Sequence, residues 1–144
     1  MFLLDTNVVS ELRKARAGRA DKNVAAWAAS ASAASMFLSV IAIQELEIGV
    51  LLAERRDRPQ GAVLRRWLEK QVLPAFGERI IPVDTAVARR SAALHTPDPR
   101  PVRDSLIAAT ALVHGLVVVT RNVADFEPMG AEIIDPWQAA DEPT

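Results

Sequence analysis

The chain has 144 residues, of which half are hydrophobic, with a formal net charge of -1 at pH 7 and no cysteine. This length suits one well-packed domain rather than two, and we expect that domain over residues 1–138 with a disordered tail over 139–144. The charge excludes broad attraction to polyanions, and the lack of cysteine excludes disulfides and thiolate metal sites.

The N-terminus combines a short apolar strand, Phe2 to Leu4, with the helix-starting residues Asp5, Thr6 and Asn7. We predict a helix over residues 7–16, and a cap on that helix is the simplest role for Asp5 or Thr6. The charge at Asp5 also comes before any signal-peptide core could form. No export signal is visible, and we therefore expect a cytoplasmic protein.

The stretch from Val24 to Ile43 contains twenty residues without a charge, which is about the length that spans a bilayer. It is mostly alanine with four serines, and its character changes from small residues to β-branched ones near Ser35. We therefore predict no membrane span here, but a buried helix over residues 21–34 followed by a second strand over residues 37–40.

The next predicted helix, over residues 41–52, carries two acidic residues. Glu45 and Glu47 are two positions apart, so they point in roughly opposite directions and cannot both serve one site. Glu45 also stands among isoleucine and leucine residues, where a charge without a partner is expensive. It lies early in the helix, near the carboxyl edge of the sheet, and is a candidate site residue.

The middle of the chain is predicted to hold an exposed loop over residues 55–59, a helix over 62–72 and a third strand over 80–83. Asp84 and Thr85 follow that strand in the same arrangement as Asp5 and Thr6, and they open a helix over residues 85–94. Because of this repetition, Asp84 is the acidic residue most easily mistaken for a site residue.

Residues 103–126 combine a helix, a buried strand and an acidic exit loop. Asp104 precedes the helical pattern, and Gly115 suits the left-handed residue that ends such a helix. The strand from Leu116 to Val119 is apolar throughout, as strands covered on both faces are. The loop after it carries Asp125, and a short fifth strand follows over residues 132–134.

Strands alternating with helices five times predict an α/β fold with a parallel, doubly wound sheet. Such sheets bind ligands at the carboxyl ends of the strands, where the strand order reverses. If the order is 3-2-1-4-5, Asp5 and Asp125 flank the reversal, while Glu45 and Asp104 reach it from the starts of their helices. Asp84 would then follow an edge strand, and we assign it as a helix cap.

Four converging carboxylates repel one another, and each close pair costs on the order of a few kcal/mol at the dielectric near a protein surface. Raised pKa values or a hard divalent cation would relieve that repulsion. For Mg²⁺ we expect Asp5 and Asp104 as direct ligands, and Glu45 and Asp125 as ligands directly or through water. A metal held this way can activate water and stabilise charge on a phosphoryl oxygen, which predicts phosphodiester hydrolysis.

Other reaction classes find little support in the sequence. No set of serine, cysteine and histidine supports acyl transfer, and there is neither a glycine-rich phosphate loop nor an HExxH motif. His114 stands at a helix end, where a dipole contact is its simpler role, and His95 precedes a loop. We assign neither histidine a catalytic role.

Several motifs occur in order across nearly the whole chain: LLDTNVVSEL at 3–12, LSVIAIQELEIG at 38–49, RDSLIAATALVHGL at 103–116, VVTRNVADF at 118–126 and DPW at 135–137. With these motifs the sequence resembles PIN-domain ribonucleases, and most closely the VapC-like toxins of bacterial toxin–antitoxin pairs. The resemblance implies a three-layer PIN-like fold. It also places the acidic quartet on Asp5, Glu45, Asp104 and Asp125, the set already argued from topology.

The resemblance further implies an endoribonuclease dependent on Mg²⁺ or Mn²⁺ that forms a homodimer and is silenced by a cognate antitoxin, with which it can assemble further. Thr6 and Asn122 would orient the carboxylates. Local arginines would have to hold the RNA, because the net charge gives no steering. Arg103 and Arg121 are the candidates beside the site.

Two other functions remain open. One is a metal-dependent phosphohydrolase or phosphotransferase that forms an aspartyl-phosphate on Asp5. Such enzymes, and phosphoacceptor signalling domains, usually need a lysine late in the chain, and none follows Lys70. The other is a PIN-like domain that binds without catalysis.

Overall fold

A computed structural model describes residues 1–139 of the chain. Within them, the helices and strands occur in this order: β1 Phe2–Leu4, α1 Thr6–Leu12, α2 Lys22–Ser30, β2 Met36–Ser39, α3 Val40–Arg56, α4 Arg58–Trp67, α5 Leu73–Phe76, β3 Ile80–Ile81, α6 Thr85–Leu94, α7 Val102–His114, β4 Val117–Val119, α8 Val123–Phe126 and β5 Ile133–Ile134. A π-helical turn, Leu68–Val72, joins α4 to α5.

The strands form one five-stranded sheet in the order β3-β2-β1-β4-β5, and every neighbouring pair is parallel. The predicted α/β fold and strand order are therefore confirmed. Leu4 of β1 pairs with Val119 of β4. The residues that follow, Asp5 and Thr120, consequently leave neighbouring strands side by side at the carboxyl edge.

The core lies on both faces of the sheet. Leu4 and Val119 belong to a buried cluster on one face, together with Val8 of α1 and other residues of α3 and of the π-helical turn. Leu3 and Val118 belong to the cluster on the other face, which is completed by Ile107, Phe126 and other residues of the same layer. Successive strand residues thus face opposite layers, which explains why the central strands are apolar throughout.

The predicted loop over residues 55–59 is wrong. Helix α3 continues to Arg56, and Asp57 alone separates it from α4. The Asp57 side chain caps α4 by accepting a 3.3 Å hydrogen bond from the backbone N–H of Gln60. Pro59 lies in the first turn of α4, where its missing N–H has no helical partner to lose. Proline and charge there mark a helix start rather than a loop.

Other boundaries differ in ways that bear on the site. Helix α7 begins at Val102, so Asp104 lies inside its first turn rather than ahead of it. The predicted exit loop after β4 contains the short helix α8, whose first turn carries Asp125. The helix predicted over 21–34 ends at Ser30.

Across residues 1–139, no helix is both long enough and apolar enough to cross a membrane. The predicted tail lies outside the described residues, apart from Ala139.

Candidate active site

Asp5 is completely buried where β1 turns into α1. Its Oδ1 accepts a 2.8 Å hydrogen bond from the backbone N–H of Thr6, so the residue does cap the helix. Its Oδ2 accepts a 2.7 Å hydrogen bond from the hydroxyl of Thr120 and a long contact, 3.5 Å, from the Asn7 amide. A cap alone would not require burial, and the further donors indicate a carboxylate held in a fixed orientation.

Glu45 approaches Asp5 from α3. Its Oε1 accepts a 2.7 Å hydrogen bond from the hydroxyl of Thr6, so Thr6 contacts both acids, one with its backbone and one with its side chain. Glu47 instead pairs with Arg65 at 2.6 Å, away from this set. The predicted divergence of the two glutamates is confirmed.

Asp104 projects from the first turn of α7 and is largely buried. Burial raises the pKa of its carboxyl, the neighbouring Arg103 opposes that shift, and the negative charges of Asp125 and Asp5 reinforce it. The net direction is upward. Asp125 itself is exposed on α8, close enough for its charge to act on Asp104.

Arg103 links the three inner carboxylates. Its Nη2 donates to Asp5 Oδ1 at 2.5 Å, its Nη1 donates to Asp104 Oδ1, and its Nε lies 2.5 Å from Glu45 Oε1. The last contact is an ion pair without hydrogen-bond alignment, so Nε has no hydrogen-bond partner within residues 1–139. One guanidinium therefore fills the space between the acids.

The charge of Arg103 is stabilised by this position. Burial by itself would lower its pKa, but the charge of Asp5, followed by the close contact with Glu45, outweighs burial and raises the pKa. About a third of the side chain, 31%, remains exposed to solvent. The group is thus always cationic and has an open side toward solvent.

Sequence reasoning missed the role of Thr120 in this arrangement. This residue is fully buried, donates to Asp5 and accepts a 3.0 Å hydrogen bond from the backbone N–H of Asn122. Asn122, which we expected to orient the carboxylates, joins the set through that backbone group. The signal for Thr120 was the strand register, because a residue following β4 must lie beside the one following β1.

His95 holds the chain that leads into α7. Its Nδ1 accepts a 3.2 Å hydrogen bond from the backbone N–H of Arg100, which places the proton of the neutral ring on Nε2. Nε2 lies 3.0 Å from the buried hydroxyl of Ser105, which in turn contacts Ser91 at 2.9 Å. Because Ser105 follows Asp104, this network fixes the helix start that carries the acid.

The remaining predicted residues occupy the rim or lie elsewhere. Arg121 is exposed at the end of β4, and its guanidinium carbon lies 5.1 Å from the centroid of the Trp137 ring. Asp84 caps α6 by accepting a 2.9 Å hydrogen bond from the Val87 N–H, so its predicted role as a helix cap is confirmed.

The donor set suits a hard divalent cation, since carboxylate and hydroxyl oxygens are its preferred ligands. Asp5 and Asp104 each contact a different nitrogen of the Arg103 guanidinium, which lies between the two carboxylates. Over the described part of the chain, no three acidic or histidine side chains stand in a geometry that could hold an ion. The oxygen ligands of the site therefore fit a metal, provided that the Arg103 side chain moves away from the carboxylates.

Comparison with known proteins agrees with the fold and the motifs. Residues 2–128 match the family model described as PIN domain. The chain is 38% identical to VapC ribonuclease Y4jK of Sinorhizobium fredii, covering 97% of this chain and 100% of the relative, and 36% identical to toxin FitB of Neisseria gonorrhoeae, covering 95% and 99%. The crystal structure of FitAcB from Neisseria gonorrhoeae superposes with a TM-score of 0.86 at 34% identity, covering 95% of this chain and 99% of that one. The chain therefore belongs to the PIN domain family.

Proposed function

We propose that this protein is a toxin-type endoribonuclease, held inactive by a cognate antitoxin. The observation that carries the proposal is the buried carboxylate of Asp5, which shares one cationic partner with Asp104 and Glu45 at the carboxyl edge of a PIN-type sheet. The chain matches a relative named VapC ribonuclease and one named toxin FitB along nearly their whole lengths. These matches support a ribonuclease activity and a toxin role here.

Asp5 and Asp104 would hold Mg²⁺ or Mn²⁺ directly, while Glu45 and Asp125 would contribute directly or through water. When bound, such an ion lowers the pKa of a coordinated water and stabilises charge on a phosphoryl oxygen. Thr6 and Thr120 keep the carboxylate oxygens of Asp5 and Glu45 in place through their hydrogen bonds.

Phosphate contacts would come from arginines at the two sides of the crevice. Arg121 is exposed just beyond β4, and Arg103 is partly exposed at the start of α7. An RNA backbone crossing the carboxyl edge would pass between them. Because the protein has no excess positive charge, these local cations provide the attraction that net charge does not.

A protein partner is supported by an apolar surface on the hairpin formed by α3 and α4. Ile48, Leu51 and Leu52 of α3 and Val63 of α4 are each about half exposed. The three α3 residues share one helix face, since they are three and four positions apart. We propose this exposed hairpin face as the surface that the antitoxin or a second copy of the chain covers, with a homodimer as the basal assembly.

The aspartyl-phosphate alternative loses support from the structure. A nucleophilic carboxylate needs an accessible oxygen, but Asp5 is completely buried and both of its oxygens already accept hydrogen bonds. Attack from Asp5 would require breaking that set before any reaction. In water-mediated hydrolysis Asp5 would form no covalent bond, and only the Arg103 contact to its Oδ1 would have to give way to the ion.

The test is cleavage of a mixed cellular RNA pool by the purified chain, freed of any bound partner, with Mg²⁺, with Mn²⁺ and with chelator. We expect metal-dependent cutting by wild type and its loss in Asp104→Asn. Glu47→Gln is the control, because it removes a carboxylate that pairs with Arg65 outside the site. Undiminished cutting by Asp104→Asn would contradict the proposal, and a pool left intact by wild type would favour a binding function.

A further inference from the structure

We propose that the Arg103 guanidinium is a built-in counter-cation that occupies the ion position of the metal-free site and must be displaced when a divalent ion binds. The inference rests on the proposed metal-dependent function and concerns how that site is loaded. Its basis is that one side chain reaches three carboxylates from three different elements: Asp5 after β1, Glu45 on α3 and Asp104 on α7.

The hydrogen bonds of Asp5 show why both cations cannot hold the same oxygen. A carboxylate has about four lone-pair positions. Oδ1 accepts from the Thr6 N–H and from Arg103 Nη2, while Oδ2 accepts from Thr120 and, at 3.5 Å, from Asn7. Both positions of Oδ1 are therefore taken, and an ion that binds Asp5 through this oxygen must replace one donor.

Arg103 is the donor best able to leave. The Thr6 donor is a backbone group at the start of α1, and Thr120 is fully buried between the strand ends. The Arg103 side chain is long, is 31% exposed and begins in the first turn of α7. Its Nε makes no hydrogen bond to the described residues, so rotation toward solvent loses two directed contacts rather than three.

Displacement would also change what Arg103 can do. While it contacts the three acids, their negative charges neutralise the guanidinium, and it cannot bind a phosphate. Once an ion neutralises those acids, the guanidinium stands free at the edge of the crevice. The side chain would thus exchange a carboxylate contact for a phosphate contact as the site is loaded.

Arg65 provides a matched comparison within the same chain. It also contacts three carboxylates, those of Glu47, Glu54 and Glu69, and the interactions with Glu54 and Glu47 raise its pKa. Those glutamates are, however, 38 to 52% exposed and surround no buried acid. Removing Arg65 should therefore break surface ion pairs without creating a binding site for a divalent ion.

The experiment measures Mn²⁺ binding directly, by titration calorimetry and by electron paramagnetic resonance of the free ion, on the full chain without RNA. Four proteins are compared: wild type, Arg103→Gln, Arg103→Lys and Arg65→Gln. We expect Arg103→Gln to bind Mn²⁺ about tenfold more tightly than wild type, which corresponds to roughly 1.4 kcal/mol. Arg103→Lys should fall between them, because lysine keeps the charge but offers one nitrogen in place of the three that contact the acids. Arg65→Gln should match wild type.

Thermal unfolding of the same proteins supplies a second readout. Without metal, Arg103→Gln should melt below wild type, because three carboxylates lose their counter-charge, and Mn²⁺ should raise its melting temperature more than that of wild type. Equal or weaker Mn²⁺ binding by Arg103→Gln, with wild-type binding intact, would overturn the inference alone. Absence of binding in every variant would overturn the proposed metal dependence as well.

Discussion

The hydroxyl of Thr120 donates a 2.7 Å hydrogen bond to Asp5 Oδ2, joining two residues 115 positions apart in the chain. The bond exists because β1 and β4 are parallel neighbours whose last residues pair. It holds a buried carboxylate that has no access to water, and its removal should affect both the fold and the site.

Thr120→Val should lower both stability and activity. Valine keeps the shape but removes the donor, leaving a buried carboxylate oxygen short of a partner at a cost of about 1–3 kcal/mol. Loss of an orienting hydrogen bond should also reduce cleavage by about tenfold or more. Denaturant unfolding and RNA cleavage measure the two effects. Thr110→Val is the control, since the hydroxyl of that buried threonine donates within α7, to the Leu106 carbonyl, and its loss should leave cleavage intact.

Asp104→Asn should stabilise the metal-free protein at neutral pH. The folded-state pKa of Asp104 is raised above its ordinary value of 3.8, chiefly by burial. A raised pKa means that its contribution to stability is fully present below about pH 3.8 and is lost as the pH rises through the folded-state value. The asparagine variant lacks this penalty, so its stability relative to wild type should increase with pH in that range. Denaturant midpoints between pH 3 and pH 8 measure the trend, and a variant that loses relative stability on raising the pH would show that the Arg103 contact outweighs burial.

The α3–α4 hairpin offers opposite predictions for two glycines. A Cβ on Gly61 would meet the Glu54 Cα at 2.5 Å, so Gly61→Ala must push the two helices apart and should destabilise by about 1–3 kcal/mol. Gly49, inside α3, faces open space, so Gly49→Ala should stabilise by roughly 0.5–1 kcal/mol through helix propensity. Thermal unfolding of both variants checks the pair, and a tolerated Gly61→Ala would contradict the close helix approach.

Leu52→Glu should disrupt the proposed partner surface while leaving the fold intact. Leu52 is 57% exposed, so a charge there is tolerated in the isolated chain but becomes costly once a partner covers the hairpin face. Self-association or antitoxin binding should weaken by about tenfold or more. Light scattering and titration against the antitoxin report this. Val113→Glu, an exposed apolar position on α7, should behave as wild type.

The sequence predicted the strand order and Asp84 as a cap, because these follow from local patterns and from the rules of parallel sheets. It misjudged residues 55–59, where proline and charge suggested a loop but Asp57 instead caps a new helix. It also left open the partner of the three inner acids. Arg103 precedes Asp104 in sequence, yet its contact with Asp5 spans 98 positions, and only side-chain geometry could show that one guanidinium reaches all three acids.

The central position of β1 has a consequence for how the protein is made. β1 emerges first from the ribosome, but its pairing with β4 requires residues as far as Val119. A nascent chain that reaches residue 100 of this sequence contains Asp5 and Glu45, yet it lacks Asp104 and strand β4, which places Thr120 beside Asp5. The carboxylate set therefore cannot assemble until residues as far as Asp125 have been synthesised, and the ribosome is not exposed to a formed site before that point.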